Sequence, residues 1–363
     1  MSLINTLLHK ATLTLSPIAG TFELTARCNL SCRMCYIHNA ACDGSLQESE
    51  LTATQWIELA DQAAASGTLI LLLTGGEPML RPDFPQIYRA CAERGFLITV
   101  NTNGTLLTPE LLALFREHPP LRLNVSLYGM SERVYADLCG NGAMFARVTE
   151  HLRALHEAGI PLQINFTATR LNQAELPAVK AFADSLGATL HYTAYSFPHV
   201  RTATPSADDL PRFSAEEAAE ATAQYARLTQ PESRLAAYGT ELPPRNDDCG
   251  ESFDGVRCRA GRASYWITYD GDMLPCGMLP TIRHSAVRLG LADAWSKTGE
   301  AFSRVKMPSG CVACPDYERC EVCPAICHAE NGRFDAVPEY ICQKNRLYRL
   351  ALRQEAEPKE AAT

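Results

Sequence analysis

The chain has 363 residues, 46% of them hydrophobic and 20% charged, which is enough to bury one large core or two smaller ones. Its net charge of −8, with no basic run or interleaved aromatics, excludes nucleic acid as the expected partner. No stretch has the apolar length of a membrane span, and the start lacks an export signal, so no membrane partner and a cytoplasmic location are expected. Fifteen cysteines in a reducing compartment read as metal ligands rather than disulfides. Three sit at 28–35 and nine between 249 and 342, while Cys42, Cys91 and Cys139 stand apart as small buried hydrophobes or incidental thiols.

Residues 1–20 form an amphipathic lead-in that ends at Pro17 and Gly20. Thr21–Thr25 is a short strand delivering the loop Cys28-Asn29-Leu30-Ser31-Cys32-Arg33-Met34-Cys35-Tyr36 at its C-terminal end, where parallel α/β folds place active-site loops. A cubane iron–sulfur cluster takes four cysteines, so three thiolates at spacings of four and three leave one iron open to a substrate or cofactor. A zinc knuckle or a redox thiol loop would use the same three residues. A helix from Thr52 to Ser66, with Trp56, Leu59 and Ala60 on one face, leads to the fully apolar strand Leu69–Leu73. Thr74-Gly75-Gly76-Glu77-Pro78 follows at once. The adjacent glycines permit close backbone approach to a ligand, Glu77 offers an acceptor for a cationic amino group, and Pro78 stiffens the exit. An ordinary Gly-Gly turn would look the same.

The alternation continues with helix 84–94, strand Phe96–Asn101, helix 109–117, strand Leu121–Leu127, helix 143–158, strand Leu162–Thr169, helix 173–186 and strand Thr189–Tyr195. Six strand–helix repeats predict a parallel α/β sheet with right-handed crossovers over 21–197. Asn103 and Ser126 stand at strand ends, where turn capping competes with a ligand contact. Tyr128, Tyr192 and Tyr195 also lie near strand ends, where packing competes with a substrate contact. Residues 198–248 are punctuated by prolines around a helix at Ala215–Leu228 and read as a bridge.

Cysteine density rises over 249–345. Cys249 and Cys258 precede a hairpin, Tyr265–Tyr269 returning through Met273–Pro275 with an Asp-Gly turn, which presents Cys276. Cys311, Cys314, Cys320, Cys323, Cys327 and Cys342 follow. Cys311, Cys314, Cys320 and Cys323 alone would make a zinc ribbon, but that uses four of nine cysteines, whereas two [4Fe–4S] clusters need eight. Residues 346–363 read as a terminal helix and a charged tail, disordered after about Glu357.

The three-cysteine loop with Tyr36 after it, and Gly75-Gly76-Glu77-Pro78 one strand later, resemble the signature of the radical S-adenosylmethionine (SAM) superfamily. The resemblance implies a partial (β/α)6 barrel, a [4Fe–4S] cluster on Cys28, Cys32 and Cys35, and SAM bound near Tyr36, Gly75, Gly76, Glu77, Pro78, Asn103 and Ser126. The later cysteines resemble the SPASM extension, which carries two auxiliary clusters. Carried onto this chain, that pattern assigns Cys311, Cys314, Cys320 and Cys342 to the distal cluster. It assigns Cys258, Cys276 and Cys249 to the nearer one, completed by Cys323 rather than Cys327. SPASM enzymes characteristically oxidise or crosslink peptides or proteins, and some act on small molecules, including tetrapyrroles. Sulfatase maturases carry an Asp base immediately after the cysteine matching Cys276, where this chain has Gly277. The leading expectation is oxidative modification of a peptide or protein, with a flavodoxin- or ferredoxin-type electron donor and a separate peptide-recognition protein as candidate partners. The alternatives are a radical reaction on a small metabolite and a non-catalytic iron–sulfur or zinc protein.

Overall fold

The computed structural model describes residues 3–37, 43–198, 201, 211–243 and 255–356, with side chains as far as 353. Helix α1 (Leu3–Thr14) precedes β1 (Ala19–Glu23), and α2 (Gly44–Ser49) and α3 (Ala53–Ala65) lead to β2 (Ile70–Thr74). Then come α4 (Phe84–Glu93), β3 (Leu97–Thr102), α5 (Pro109–Glu117), β4 (Arg122–Ser126), α6 (Glu132–Cys139), α7 (Met144–Glu157), β5 (Leu162–Thr167), α8 (Leu176–Ser185) and β6 (Thr189–Thr193). Local chemistry sets the helix ends. Thr52 and Gln55 form a capping box at α3, and Ser131 caps α6, which stops at Gly140 with φ 77°. Pro177 near the start of α8 leaves a 3₁₀ turn over Gln173–Glu175 where a continuous helix was expected.

Strands β1 to β6 pair side by side and all parallel, β1 with β2 from Ala19↔Ile70 to Glu23↔Thr74. The first strand lies two residues earlier than expected, because the chain leaves the ladder after Glu23 to meet the Gly75-Gly76 turn. Apolar residues of these strands and of the covering helices form one core that includes Phe22, Trp56, Leu71, Leu73, Val125 and Phe166. Phe22 and Trp56 meet ring to ring at 5.0 Å.

The cysteine-rich part is joined to this sheet. Helices α9 (Ala215–Thr229) and α10 (Glu232–Thr240) are followed by β7 (Ser264–Ile267), β8 (Asp272–Leu274) and β9 (His284–Ser285). Strand β7 pairs parallel with the free edge of β1, Ala19↔Ser264 to Phe22↔Ile267, and the nine-stranded sheet runs β6-β5-β4-β3-β2-β1-β7-β8-β9. The Asp-Gly hairpin between β7 and β8 forms as expected, with Gly271 at φ 86°. Short helices α11 (Ala286–Leu289), α12 (Leu291–Ser303), α13 (Ser309–Val312) and α14 (Pro324–Asn331) lead to α15 (Glu339–Ala356). Helix α15 packs on α9 and α10 around Ala223, Tyr348 and Leu352, in a second core shared with the cysteine segment. Arg212 stacks 4.0 Å over Tyr340 and 5.1 Å over Tyr195 while pairing with Glu330 at 2.6 Å, which ties the end of β6 to α14 and α15. The tail after Glu357 lies outside the described residues. Among the described residues no helix is long and apolar enough to cross a membrane.

Tyr265 and Ile267 of the hairpin are buried in the same core as Phe22 and Leu73. Ile267→Ala is therefore expected to cost about 2–5 kcal/mol and to lower the melting temperature of the whole sheet in one transition. A barrel transition left in place while a separate one moves would contradict the shared sheet.

Candidate active site

The cysteine loop is held against the end of β2 by backbone. Gly76 N–H donates to the Thr25 carbonyl at 2.8 Å and Glu77 N–H to that of Arg27 at 2.9 Å. A Cβ on Gly75 would stand 2.4 Å from the Thr25 oxygen, and one on Gly76 2.3 Å from the Arg27 oxygen. The two glycines thus make room for the cysteine loop itself, a use of close approach that the sequence reading assigned to a ligand.

Side chains fix the rest of the loop. Arg27 donates to Glu50 in a buried fork at 2.8 and 3.0 Å, and Arg81 donates to the Leu24 and Leu51 carbonyls at 2.9 Å. Asn103 Nδ2 donates to Asn29 Oδ1 at 2.9 Å, and Asn29 in turn donates to Thr105 at 2.8 Å. Ser31 and Arg33 N–H groups donate to the Cys139 and Leu138 carbonyls at the end of α6, at 3.1 and 2.9 Å. Glu77 is fully buried and does not line the cavity. Its carboxylate accepts from Asn103 N–H at 2.7 Å, Thr102 Oγ1 at 2.9 Å and Met79 N–H at 3.1 Å, and burial pushes its pKa up to about 7. Its visible work is to position the Thr102–Asn103 strand end.

Cys28, Cys32, Cys35, Tyr36, Gly75, Gly76, Asn103 and Ser126 line one cavity of about 430 Å³, open between the strand ends and the cysteine-rich part. Pro78 stands behind the wall with Glu77. Tyr128 and His191 also line it, together with Tyr195 and Phe197 from the segment after β6. Tyr128 shares the cavity wall with Ser126 and Cys32. Tyr192 is stacked on Tyr225 at 4.4 Å, away from the cavity. Cys258, Cys276 and Cys323 line a second cavity of about 290 Å³, and Glu321 lines both cavities. Cys249 lies outside the described residues.

The thiols carry a recurrent feature. Cys28, Cys276 and Cys320 each accept a hydrogen bond from the backbone N–H two residues on, Leu30 at 3.4 Å, Met278 at 3.5 Å and Val322 at 3.4 Å. Such N–H···S bonds favour a thiolate and tune any iron it binds. Burial pushes the free thiols the other way, Cys28 up to about 12 and Cys276 up to about 11, so metal binding here must displace protons. Among the described residues no three His, Cys, Asp or Glu side chains converge as a single ion requires. A zinc ribbon would need Cys323 beside Cys311 and Cys314, whereas it faces Cys258 and Cys276. Three thiols opening into one cavity, Cys28 among them with N–H···S support, fit a cluster with one open iron.

Residues 22–182 match the radical SAM superfamily. This chain carries a radical SAM domain. It is 27% identical over 340 residues to an AdoMet-dependent heme synthase of Methanosarcina barkeri, covering 89% of this chain and 95% of the relative. An AdoMet-dependent heme synthase of Oleidesulfovibrio alaskensis is 26% identical, with 84% and 81% covered, and a PqqA peptide cyclase of Ruegeria pomeroyi 29% identical, with 91% and 88% covered. Among solved structures, Streptococcus suis SuiB bound to S-adenosylmethionine superposes with a TM-score of 0.68 at 19% identity, covering 94% of this chain and 81% of SuiB. Native anSMEcpe with bound AdoMet gives 0.70 at 13% identity, covering 94% and 98%. The radical SAM family uses SAM and a [4Fe–4S] cluster.

Two features near the site were not evident in the sequence. Cys139 sits beside Cys32, an isolated thiol brought there by α6. Glu23, fully buried at the end of β1, pairs with Arg201 and accepts from Trp266 Nε1 at 2.6 Å. A Cβ at Gly277 would meet the Trp266 ring at 2.8 Å, so the indole fills the space in which a side chain after Cys276 would stand.

Gly76→Ala is expected to push the cysteine loop off β2 and remove most of the iron it holds, with far-UV circular dichroism nearly unchanged. Full iron content in that variant would contradict the close-approach argument.

Proposed function

We propose that this enzyme oxidatively modifies a peptide or protein. Cys28, Cys32 and Cys35 hold the SAM-binding cluster, and Tyr36, Gly75, Gly76, Asn103 and Ser126 surround SAM, with Glu77 and Pro78 bracing the turn from behind. Cys258, Cys276, Cys323 and Cys249 hold one auxiliary cluster, and Cys311, Cys314, Cys320 and Cys342 a second. When bound, SAM and the clusters supply a 5′-deoxyadenosyl radical for hydrogen abstraction and acceptors for the electron left behind. The chain's own part is to hold substrate in the open cavity, with Tyr195 and Phe197 on its rim.

The observation that carries this reading is that Glu321 lines both cavities; a substrate radical formed in the first would then lie near the thiols of the second. The PqqA peptide cyclase relative supports a peptide as substrate, and a solved SuiB complex contains the precursor peptide SuiA. We further propose a flavodoxin- or ferredoxin-type reductant, a separate peptide-recognition partner, and action in the cytoplasm. The two heme synthase relatives, similar in identity and coverage to the peptide cyclase, favour a second reading, radical oxidation of a tetrapyrrole or other small molecule.

Reconstituted enzyme with SAM and dithionite should be offered a short peptide encoded beside its gene and, in parallel, an iron tetrapyrrole. The peptide reading expects hydrogen loss from the peptide by mass spectrometry, with faster 5′-deoxyadenosine release in its presence. Conversion of the tetrapyrrole with the peptide untouched would replace it by the second reading.

A further inference from the structure

One face of the parallel sheet is polar over β4 to β6, where central parallel strands are ordinarily apolar on both sides. On the other face Leu123, Val125, Ile164 and Phe166 are fully buried. The alternate positions carry Arg122, Asn124 and Ser126 on β4, Gln163 and Asn165 on β5, and His191 on β6. Parallel register sets Asn101 beside Asn124, Ser126 beside Asn165, and Asn165 beside His191. Asn101, Ser126 and His191 line the first cavity, so this polar face is its floor.

Hydrogen bonds join these side chains without exhausting them. Arg122 Nε donates to Asn124 Oδ1 at 2.8 Å, and Asn124 Nδ2 donates to Asn101 Oδ1 at 2.7 Å, a chain that runs from the guanidinium to the cavity wall. Asn101 accepts through Oδ1, which leaves its Nδ2 as a donor. Among the described residues no Asp or Glu pairs with Arg122, and its Nη groups make no hydrogen bond. By contrast, Arg27, Arg81, Arg201 and Arg212 around the site each pair with a carboxylate. Desolvation, and then the charge of Arg122, lower the pKa of His191. A guanidinium drawn partly out of water without a counter-ion is costly, and a carboxylate is the planar pair of oxygens that its fork matches.

We propose that the floor of the first cavity is a carboxylate-binding recess, with Arg122 supplying the charge and Asn101 and His191 the further donors, and that the substrate carries a carboxylate to fill it. The inference rests on the reading of this cavity as the substrate site and deepens it by naming the group that the substrate presents. Strand β4 runs from Arg122 up to Ser126, so a carboxylate seated at the floor directs the rest of the substrate toward the cysteine loop. The recess thereby selects which end of the substrate is offered for reaction. A peptide or a carboxylated tetrapyrrole can each present that group.

The test is protection of His191 from diethyl pyrocarbonate, located by peptide mass spectrometry, on the full chain reconstituted anaerobically with SAM present throughout and no reductant. Glutarate is expected to slow modification of His191 several-fold, and its neutral counterpart glutaramide to leave it unchanged. His156, exposed on α7, is the internal control. Arg122→Gln is expected to weaken glutarate binding about ten- to hundredfold, so that protection is lost at the same concentration, and Arg122→Lys to keep part of it. The peptide encoded beside the gene, as free acid and as amide, and an iron tetrapyrrole, as free acid and as ester, then show which source fills the recess. Protection by glutarate but by neither of these would keep the recess and overturn the proposed substrates instead. No protection by glutarate, equal protection by glutaramide, or protection that survives Arg122→Gln would overturn the recess. A His191 that reacts only when SAM is left out would assign the floor to SAM and overturn it likewise.

Discussion

The structure depends on the contact between two pieces of backbone, the Thr25–Arg27 turn and the Gly75-Gly76 turn. Neither glycine could carry a Cβ without placing it on a carbonyl oxygen. The contact lets β1 and β2 end together, and that common end puts Cys28, Cys32 and Cys35 over the mouth of the sheet. Nearly every other fixture of the site braces this contact. Arg27 and Arg81 neutralise Glu50 beneath the loop, Glu77 anchors the Thr102–Asn103 strand end, and Asn103 holds Asn29 between the first two cysteines. A buried carboxylate such as Glu77 is costly unless its lone pairs are filled, and here three donors fill them.

The second constraint is the use of the sheet's other edge. An unpaired β1 edge would be open to unwanted pairing, and β7 closes it in parallel register. Strand β8 runs back antiparallel to β7, so Cys276, two residues after β8, lines the second cavity with Thr21 and Trp266, below the β1 end that carries the first cysteine loop. Trp266 and Glu23 fill the space between, and the indole's packing on Gly277 accounts for the missing side chain there. The sulfatase-maturase type of base has no room at that position while Trp266 stays in place.

Much of the barrel was legible because its signals are local. Apolar runs such as Leu69–Leu73, capping residues such as Thr52 and turn glycines such as Gly159 fix helices and strands within one or two residues. Helix α6 went unread although Ser131 and Gly140 mark both its ends, because its eight residues are too few for periodicity to stand out. The pairing of β7 with β1, 245 residues apart between Ala19 and Ser264, has no local signal at all. The same holds for the meeting of Cys139 with Cys32 and for the division between Cys323 and Cys327. One helical turn separates those two thiols in sequence, and only the direction of α14 decides that Cys323 lines the second cavity while Cys327 is buried in the core. Glu77 shows the opposite case, a residue whose place in a motif was plain and whose carboxylate works on the protein rather than toward the cavity.

The central claim is that the three-cysteine loop on this glycine-backed turn performs reductive SAM chemistry. Release of 5′-deoxyadenosine by anaerobically reconstituted protein given SAM and dithionite, beside a Cys32→Ala control, tests it most directly. The account predicts release by the native chain and loss to background in the control. No release, with zinc rather than iron recovered from the native chain, would contradict it.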